Sequence, residues 1–292
     1  MKRFVILILA LCLLASFGCG AAASETGGSQ IAPSAETDQA STEGTDLQVY
    51  FFSAGKADAI LLTTENSTVL IDAGEKGFGQ EILSYLEEQG ISRIDCMLIT
   101  HFDQDHVGGA AKVINNISVG TVLQSNCPKD SEEYEKYCKA LQNASIDPVT
   151  VQDTMTFELG GVTYVVDPPR KSDYDEDDSN NSSLIVSVYN GETSLLFAGD
   201  AQTERLEEFL DTSPETYGFL KVPHHGGEDE LMDELVAAVS PVYAVITSSD
   251  EEPEDDSSVS LLESAGVETY LTRKGAVILR SDGSKISVAY AE

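Results

Sequence analysis

Apolar and polar positions along this chain form short segments typical of strands and helices, beginning at Leu47. Runs of β-branched and aromatic residues bounded by turn residues predict strands, and apolar residues recurring every three or four positions predict helices. The predicted strands are LQVYFF (47–52), AILLTT (59–64), STVLIDAG (67–74), IDCMLIT (94–100), TVLQS (121–125), GVTYVVDPP (161–169), SLIVSVYN (183–190), TSLLFAGD (193–200), GFLKVPHH (218–225), VYAVITSSD (242–250) and a hairpin over 275–288. The predicted helices cover 79–90, 107–116, 130–144, 203–212, 228–239 and the region around 259–266. Strands and helices alternate in two halves, which predicts a layered α/β domain over 47–292.

Two strongly acidic stretches interrupt this pattern. They are SDYDEDDSNN (172–181) and SDEEPEDDSS (249–258), and both are predicted to be loops. The second is most simply a solvated acidic turn, whereas the first lies beside the candidate site described below.

The first 46 residues have the pattern of a targeting segment followed by a linker. Lys2 and Arg3 precede an apolar run over 4–17, which is the form of an export signal. The cysteine at position 19, Cys19, resembles the acylated cysteine of the bacterial lipoprotein lipobox, although Ser16 stands where leucine is usual. We therefore expect a signal peptide over 1–18, lipidation at Cys19 and a disordered tether over 19–46, with the domain outside the cytoplasmic membrane. An ordinary secreted protein is the alternative.

Charge and cysteine content bound the functions open to the chain. It carries 17 basic and 50 acidic residues, a formal net charge of −33. This balance disfavours a surface built to hold nucleic acid, because phosphate binding needs a cationic surface, but bound metal ions can invert the local charge. Export would permit a disulfide between Cys127 and Cys138, whereas Cys96 lies in an apolar run and is predicted to be a buried thiol.

All four histidines follow predicted buried strands. His101 and His106 follow IDCMLIT within the stretch THFDQDHVGG, together with Asp103 and Asp105, and the pair at 224 and 225 follows FLKVP. A further strand ends at Asp200. Ligand sites in open α/β sheets form at the carboxyl ends of the strands, and imidazole with carboxylate suits Zn²⁺, Mn²⁺ or Fe²⁺. The sequence therefore predicts a metal site built from these strand ends.

These motifs, taken in order, resemble those of the metallo-β-lactamase fold. TVLIDAG, THFDQDHVGG, FAGD and KVPHHGG carry the likeness, and more narrowly the chain resembles the hydrolase-like domain of the competence protein ComEC/Rec2 over roughly 47–290. The resemblance implies a four-layer αββα sandwich and two divalent metal ions, zinc or manganese. It assigns the metal ligands His101, Asp103, Asp105, His106, Asp200 and one of His224 and His225.

The resemblance also implies roles for individual residues. His101 and Asp103 would hold the first metal, Asp105 and His106 the second, and Asp200 would bridge. Asp103 or Asp105 would manage the proton of the attacking water. The non-coordinating histidine of the pair, with His224 as the catalytic candidate, would stabilise charge or protonate the leaving group. Asp58 and Asp72 would be structural.

The chain departs from the wider superfamily at the first metal position. Asp103 stands where a histidine is usual, and Asn180 or Asn181 stands where a third histidine is expected. An amide or a carboxylate from DYDEDD could complete this position, and its oxygen-rich ligands would suit Mn²⁺.

The function expected from the resemblance is hydrolysis of a phosphodiester by a metal-activated hydroxide. The substrate would be a phosphate ester, either nucleic acid or an envelope polymer, and the membrane would be the partner of a lipid anchor; no protein partner can be inferred. Two alternatives stay open: a non-catalytic metal-binding scaffold at the cell surface, and a lactonase or β-lactamase.

Overall fold

The computed structural model describes residues 44–172, 174 and 176–292, with the backbone alone at 176–178. The strands are β1 Leu47–Phe51, β2 Ile60–Thr64, β3 Ser67–Ile71, β4 Arg93–Ile99, β5 Ser118–Gln124, β6 Val149–Thr150, β7 Met155–Leu159, β8 Val162–Asp167, β9 Ile185–Asn190, β10 Thr193–Phe197, β11 Phe219–Lys221, β12 Tyr243–Ile246, β13 Glu268–Leu271, β14 Val277–Ser281 and β15 Ile286–Tyr290. The helices are α1 Gly79–Glu88, α2 Gln104–Val107, α3 Ala110–Ile114, α4 Glu132–Ala144, α5 Thr203–Leu210, α6 Met232–Val239 and α7 Asp256–Ser264. Short 3₁₀ segments lie at Glu176–Ser182, Pro223–Gly226 and Thr272–Lys274.

The described strands form two sheets. The first has the order β15-β14-β1-β2-β3-β4-β5-β6, and the second the order β13-β12-β11-β10-β9-β8-β7. Strands β3, β4, β5 and β6 run parallel in the first sheet, and β10, β11, β12 and β13 run parallel in the second. The carboxyl ends of parallel strands meet at one edge of a sheet, and each sheet has such an edge.

The two sheets pack face to face through apolar side chains. Phe51 of β1 contacts Phe197 and Phe219 of the second sheet, with ring centroids 6.2 and 5.4 Å apart. On the outer face of the first sheet, Ile82, Val113 and Tyr137 join α1, α3 and α4 to the core. On the outer face of the second, α5, α6 and α7 contribute a separate cluster of buried residues. The arrangement is the four-layer αββα sandwich expected from the sequence.

Several predicted boundaries were wrong. The helix predicted over 107–116 is divided into α2 and α3 at Gly108 and Gly109, and the helix predicted from residue 228 begins at Met232. The acidic stretch 249–258 already enters α7 at Asp256, and much of 172–181 lies in a 3₁₀ segment. Strands β6, β7 and β13 were not anticipated, because they are short or lie at the sheet edges and alternate weakly.

The predicted signal peptide, the lipidation site at Cys19 and nearly all of the predicted tether lie outside the described residues. Thr45, near the end of that tether, exchanges two hydrogen bonds with the side chain of Asn190. Cys138 is a free thiol and therefore forms no disulfide with Cys127, while Cys96 is buried as predicted. Within the described part of the chain, none of the helices has the length and apolarity that crossing a membrane requires.

Candidate metal centre

The predicted site residues leave the carboxyl ends of parallel strands in both sheets. Asp72 follows β3, and the segment 100–106 follows β4. In the second sheet, Asp200 follows β10 and the histidine pair 224–225 follows β11. The strand ends of both sheets thus bring these side chains to one place between the layers.

Close backbone contacts fix the loops that carry these residues. The amide of Ala73 donates to the carbonyl of His106 at 2.8 Å, and that of Gly109 donates to Gly74 at 3.1 Å. A Cβ atom on Gly109 would lie 2.1 Å from the carbonyl oxygen of Ala73, so that only glycine fits there. This contact explains the second glycine of THFDQDHVGG.

Three non-glycine residues at the site have left-handed backbone conformations. The φ angles are 55° at Asp72, 47° at His224 and 53° at His225. Such conformations are costly for residues with a Cβ atom and persist where the surrounding structure enforces them, often at functional sites. Here the strain accompanies the sharp turn that directs the histidine pair into the site.

Four side chains converge into one group: Asp105, His106, Asp200 and His225, with candidate ligand atoms all within 4.8 Å of one another. Oδ2 of Asp200 lies 3.1 Å from Nε2 of His106 and 3.0 Å from Nε2 of His225. Oδ2 of Asp105 lies 3.7 and 3.2 Å from the same two nitrogens. His106, Asp200 and His225 are buried, and Asp105 is partly exposed.

The orientation of His106 is set by Asp72. Nδ1 of His106 lies 2.8 Å from Oδ2 of Asp72, and the carboxylate can only accept, so Nδ1 carries the proton. Nε2 therefore presents its lone pair to the group. A carboxylate behind a histidine is the usual outer-shell partner of a metal ligand, and this agrees with the structural role expected of Asp72.

His225 is oriented in the same way through Thr247. The hydroxyl of Thr247 donates to Oδ1 of Asp58 at 2.6 Å, so it accepts from Nδ1 of His225 at 2.9 Å. Nε2 of His225 is again left facing Asp105 and Asp200.

His101, like His225, is held by hydroxyl groups. Thr100 donates to Oδ2 of Asp72 at 2.6 Å and contacts Nδ1 of His101 at 3.1 Å, and the hydroxyl of Ser183 lies 3.3 Å from the same nitrogen. Nε2 of His101 is therefore also the unprotonated nitrogen when the ring is neutral.

The unpartnered atoms of the site fit a cation. Among the described residues, four buried side-chain nitrogen or oxygen atoms have no hydrogen-bond partner, and three of them belong to His101, His106 and His224. Nε2 of His106 approaches an oxygen of Asp200 closely, yet both atoms offer lone pairs when its Nδ1 is protonated. Such a contact is stable only with a proton or a positive ion between the atoms. Two imidazole nitrogens and two carboxylate oxygens are a ligand set that zinc accepts.

Without a metal, protons take the place of the cation. Burial alone would lower the pKa of His106, but the carboxylates of Asp200, Asp105 and Asp72 outweigh it and hold that pKa well above its usual value. Burial likewise opposes the charged form of His225, yet Asp200 and Asp105 raise its pKa to about 9. Each metal-binding event must therefore displace protons from these rings.

The pKa values of the two carboxylates in the group, Asp105 and Asp200, shift in the opposite direction, below their usual values. Burial favours their neutral forms, but His106 and His225 lower the pKa of Asp105, and His106, His225 and Lys221 lower that of Asp200 well below its usual value. Both groups are therefore charged at neutral pH.

A buried lysine supports the group from behind. Nζ of Lys221 lies 2.5 Å from Oδ2 of Asp58, 3.4 Å from Oδ1 of Asp200 and 3.0 Å from the carbonyl oxygen of Gly199. Burial would lower its pKa, but Asp58 and Asp200 outweigh this and raise it. The charged ammonium thus holds Oδ1 of Asp200 and leaves Oδ2 for the group.

Asp103 lies apart from the four-residue group. Its Oδ1 accepts from Nζ of Lys129 at 2.7 Å, and its Oδ2 accepts from the hydroxyl of Ser179 at 2.9 Å. Nε2 of His101 lies 3.9 Å from Oδ1 of Asp103. The two residues predicted for the first metal are thus adjacent, but the carboxylate of Asp103 is occupied by a lysine and a serine.

His224 also lies outside the group, so the structure places His225 rather than His224 among the candidate ligands. The two rings are 6.4 Å apart, and Nδ1 of His224 is buried without a hydrogen-bond partner. Burial, together with the nearby His225, Lys56 and Lys221, lowers the pKa of His224 although Asp200 opposes this. His224 is therefore neutral at pH 7.

The family model described as the metallo-beta-lactamase superfamily matches residues 53–248. The chain belongs to the metallo-beta-lactamase superfamily. That membership confirms the resemblance drawn from THFDQDHVGG and its companion motifs, and the fold it implied.

The chain is similar to three proteins of known name at low sequence identity. Competence protein ComA of Neisseria gonorrhoeae is 27% identical over 212 residues, which cover 70% of this chain and 27% of that protein. ComE operon protein 3 of Bacillus subtilis is 26% identical over 230 residues, which cover 71% of this chain and 29% of that protein. Recombination protein 2 of Haemophilus influenzae is 26% identical over 209 residues, covering 69% of this chain and 24% of that protein. The chain therefore spans about a quarter of the length of these relatives.

Solved structures share the fold at low sequence identity. The metallo-beta-lactamase fold protein YhfI from Bacillus subtilis has a TM-score of 0.55 and 10% identity, covering 84% of this chain and 100% of that one. CmlA, a diiron beta-hydroxylase from Streptomyces venezuelae, has a TM-score of 0.50 and 18% identity, covering 77% and 52%. These similarities concern the fold alone.

Family membership and the four-residue group together imply binding of divalent metal ions. The residues that orient or occupy the site were not predicted from the sequence: Thr100, Thr247, Lys129, Lys221, Ser179 and Ser183. Lysine, serine and threonine are common in many roles, and nothing in their spacing distinguished these from the rest. Only Thr100 and Lys221 carried a signal, since each stands beside a strand end that bears a candidate ligand.

Proposed function

We propose that this protein is an exported, metal-dependent hydrolase that cleaves phosphodiesters. The observation that carries the proposal is the convergence of Asp105, His106, Asp200 and His225, with both imidazoles turned so that Nε2 faces the carboxylates. A divalent ion held by these residues would acidify a water molecule and polarise a phosphoryl oxygen. Zinc and manganese are the ions proposed for the site.

The surrounding side chains suit a negatively charged substrate. Lys129 lines a cavity of about 320 Å³ together with Phe102, Asp103 and Tyr174, and Oδ1 of Asp103 lies 3.9 Å from Nε2 of His101. Lys56 is close enough to His224 to lower its pKa. These two lysines supply positive charge locally on a chain whose net charge is −33.

Individual residues would contribute in different ways to hydrolysis. The carboxylate of Asp105, partly exposed and charged at neutral pH, would accept the proton of the attacking water. His224 is neutral, so it would donate a hydrogen bond to the developing negative charge rather than supply a proton to the leaving group. Lys221 would hold Asp200 in position without touching the substrate.

The charge of the chain and the names of its relatives both bear on the nature of the substrate. Two of these are named for competence and recombination, which favours a phosphodiester of nucleic acid. The acidity of the chain favours a short substrate that contains a phosphodiester over a long nucleic-acid duplex, because binding a duplex needs a basic groove and the sequence gives no sign of one. The signal-like segment over 1–18 and Cys19 support an outer-face location with a lipid anchor.

One experiment tests the proposal directly. The purified chain, supplied with Zn²⁺ or Mn²⁺, should hydrolyse bis(p-nitrophenyl) phosphate in preference to p-nitrophenyl phosphate and a chromogenic lactam. The His106→Ala variant should fall to background, whereas the exposed-surface control Asp233→Asn should retain full activity. Undiminished diesterase activity in the His106→Ala variant would contradict the proposal.

A non-catalytic metal-binding scaffold is the second candidate function. The observation in its favour is that Lys129 donates to the carboxylate of Asp103, a predicted ligand of the first metal. Its signature is a chain that holds metal stably and hydrolyses none of the diesters, monoesters or lactams in the panel.

A further inference from the structure

The first metal position has a ligand set that does not suit a metal ion. The resemblance assigned His101 and Asp103 to that position, with Asp200 as a bridge. Both oxygens of Asp103 already accept hydrogen bonds, from Lys129 at 2.7 Å and from Ser179 at 2.9 Å. Lys129 also lies 3.1 Å from the hydroxyl of Ser179, so the three side chains form a closed cluster.

The carboxylate of Asp200, which the resemblance assigned as a bridge between two metal ions, already has a contact at each oxygen. Oδ1 of Asp200 faces the buried ammonium of Lys221 at 3.4 Å, and Oδ2 lies between His106 and His225 at 3.1 and 3.0 Å. Neither oxygen is left to join a second ion at His101.

The amides considered as replacement ligands are also engaged. Oδ1 of Asn181 accepts from the backbone amides of Gln202 and Arg205, at 3.2 and 3.1 Å. The side chain of Asn180 donates to Oε1 of Gln202 at 3.1 Å. Apart from the side chains over 173 and 175–178, which the structure does not describe, His101 is thus the one predicted ligand of this position with an uncommitted donor atom. Zinc sites in proteins use three or four protein ligands.

Lys129 places a positive charge at this position. Its ammonium contacts the same Asp103 oxygen that lies 3.9 Å from Nε2 of His101. The side chain of Lys129 is 29% exposed and lines the same cavity as Asp103 and Tyr174, so its ammonium is accessible to an anionic substrate.

We propose that the chain holds a single metal ion, in the Asp105–His106–Asp200–His225 group, and that the ammonium of Lys129 takes the place of the second. The inference rests on the proposed function only in treating that group as a metal site. It assigns Lys129 as the second positive charge facing the substrate phosphate, and it departs from the two ions that the resemblance implies.

The test counts metal ions and does not depend on turnover. The full chain is freed of metal with a chelator, titrated with Mn²⁺ and separately with Zn²⁺, and examined by native mass spectrometry and calorimetry. We expect one ion per chain for the wild type, for Asp103→Asn and for the exposed-lysine control Lys139→Met. Lys129→Met should bind a second ion, more weakly than the first, because it frees one oxygen of Asp103 beside His101 and water can fill the remaining positions around the ion. Lys129→Gln serves as a second variant, with circular dichroism verifying the fold of each protein.

The outcomes separate this inference from the proposed function. Two ions in the wild type, or loss of the ion in Asp103→Asn, would overturn the single-ion site. One ion in both the wild type and the folded Lys129 variants would overturn the role of Lys129. One ion in the wild type and two in Lys129→Met, without hydrolysis of any ester, would leave the inference standing and refute the proposed function.

Discussion

The imidazole of His106 donates its Nδ1 proton to Oδ2 of Asp72 across 2.8 Å, in a pair that is completely buried. The same carboxylate accepts from the backbone amide and the hydroxyl of Thr100, which in turn contacts His101. One aspartate therefore sets the tautomer of two histidines. Asp58 does the same for His225 through Thr247.

This relationship predicts that Asp72→Asn weakens metal binding without unfolding the chain. Asparagine has the same shape and tolerates the left-handed backbone at this position, but its amide can donate to His106 and so permits the wrong tautomer. We expect affinity for Zn²⁺ to fall about 10–100-fold, the usual cost of losing an outer-shell partner. Calorimetric titration measures the change, with Asp233→Asn as the matched surface control. Unaltered affinity in Asp72→Asn would show that this aspartate does not orient the ligand.

Metal affinity should rise with pH up to about 9, the raised pKa of His225. Below that pH a proton on Nε2 competes with the metal, and the raised pKa of His106 adds to the effect. Titrations at pH 6.5, 7.5 and 8.5, in buffers of different ionisation enthalpy, should show affinity increasing and protons being released. A metal affinity that stays constant or falls over this pH range would contradict the claim that His106 and His225 are protonated in the metal-free site.

Stability of the metal-free chain should respond to pH in the opposite direction. The pKa of His225 is raised on folding from 6.5 to about 9, so its contribution is complete below pH 6.5 and is lost as the pH rises through 9. The depressed pKa values of Asp105 and Asp200 act only in the acid range and do not offset this loss.

The measurement is the Tm of chelator-treated protein between pH 6.5 and 9.5. We expect the wild type to lose stability over this range by more than the His225→Gln variant, which has no imidazole to titrate at that position. Parallel curves for the two proteins would show that His225 does not hold a proton in the folded state.

Outside the metal centre, the apolar contact between the two sheets should make the largest contribution to the free energy of unfolding. Phe51 is fully buried against Phe197 and Phe219, so Phe51→Ala should cost about 3–5 kcal/mol in the free energy of unfolding. Val149→Ala removes an exposed side chain on an edge strand and should cost less than about 0.5 kcal/mol. Urea unfolding of both variants checks the difference. Similar costs for the two would mean that the facing sheets are not the main core.

Strong local patterns predicted the layered α/β domain and the strand ends that carry the site, and the resemblance to the metallo-β-lactamase fold added the four-layer arrangement. Continuous apolar runs predicted the buried strands, and four of the candidate residues that follow them converge, whereas Asp103 and His224 lie outside the group. Boundaries were less predictable where a long-range contact decided them. Gly108 and Gly109 divide a helical pattern because the loop at Ala73 packs on them, and no local pattern reports that contact.

The ligand geometry was predictable only in part, since it depends on side chains that meet from distant segments. Lys129 reaches Asp103 from 26 positions away, and Thr247 is 22 positions from His225. The choice between His224 and His225 depends on two successive left-handed residues, which the sequence HHGG does not distinguish.

The most direct test of the metal centre compares the two adjacent histidines. Metal content is measured by elemental analysis of His224→Ala and His225→Ala after loading with Zn²⁺ or Mn²⁺ and dialysis. Because His225 lies 3.0 Å from Asp200 in the group and His224 lies outside it, His224→Ala should retain the metal of the wild type and His225→Ala should lose it. Retention of metal by His225→Ala together with loss by His224→Ala would contradict the site described.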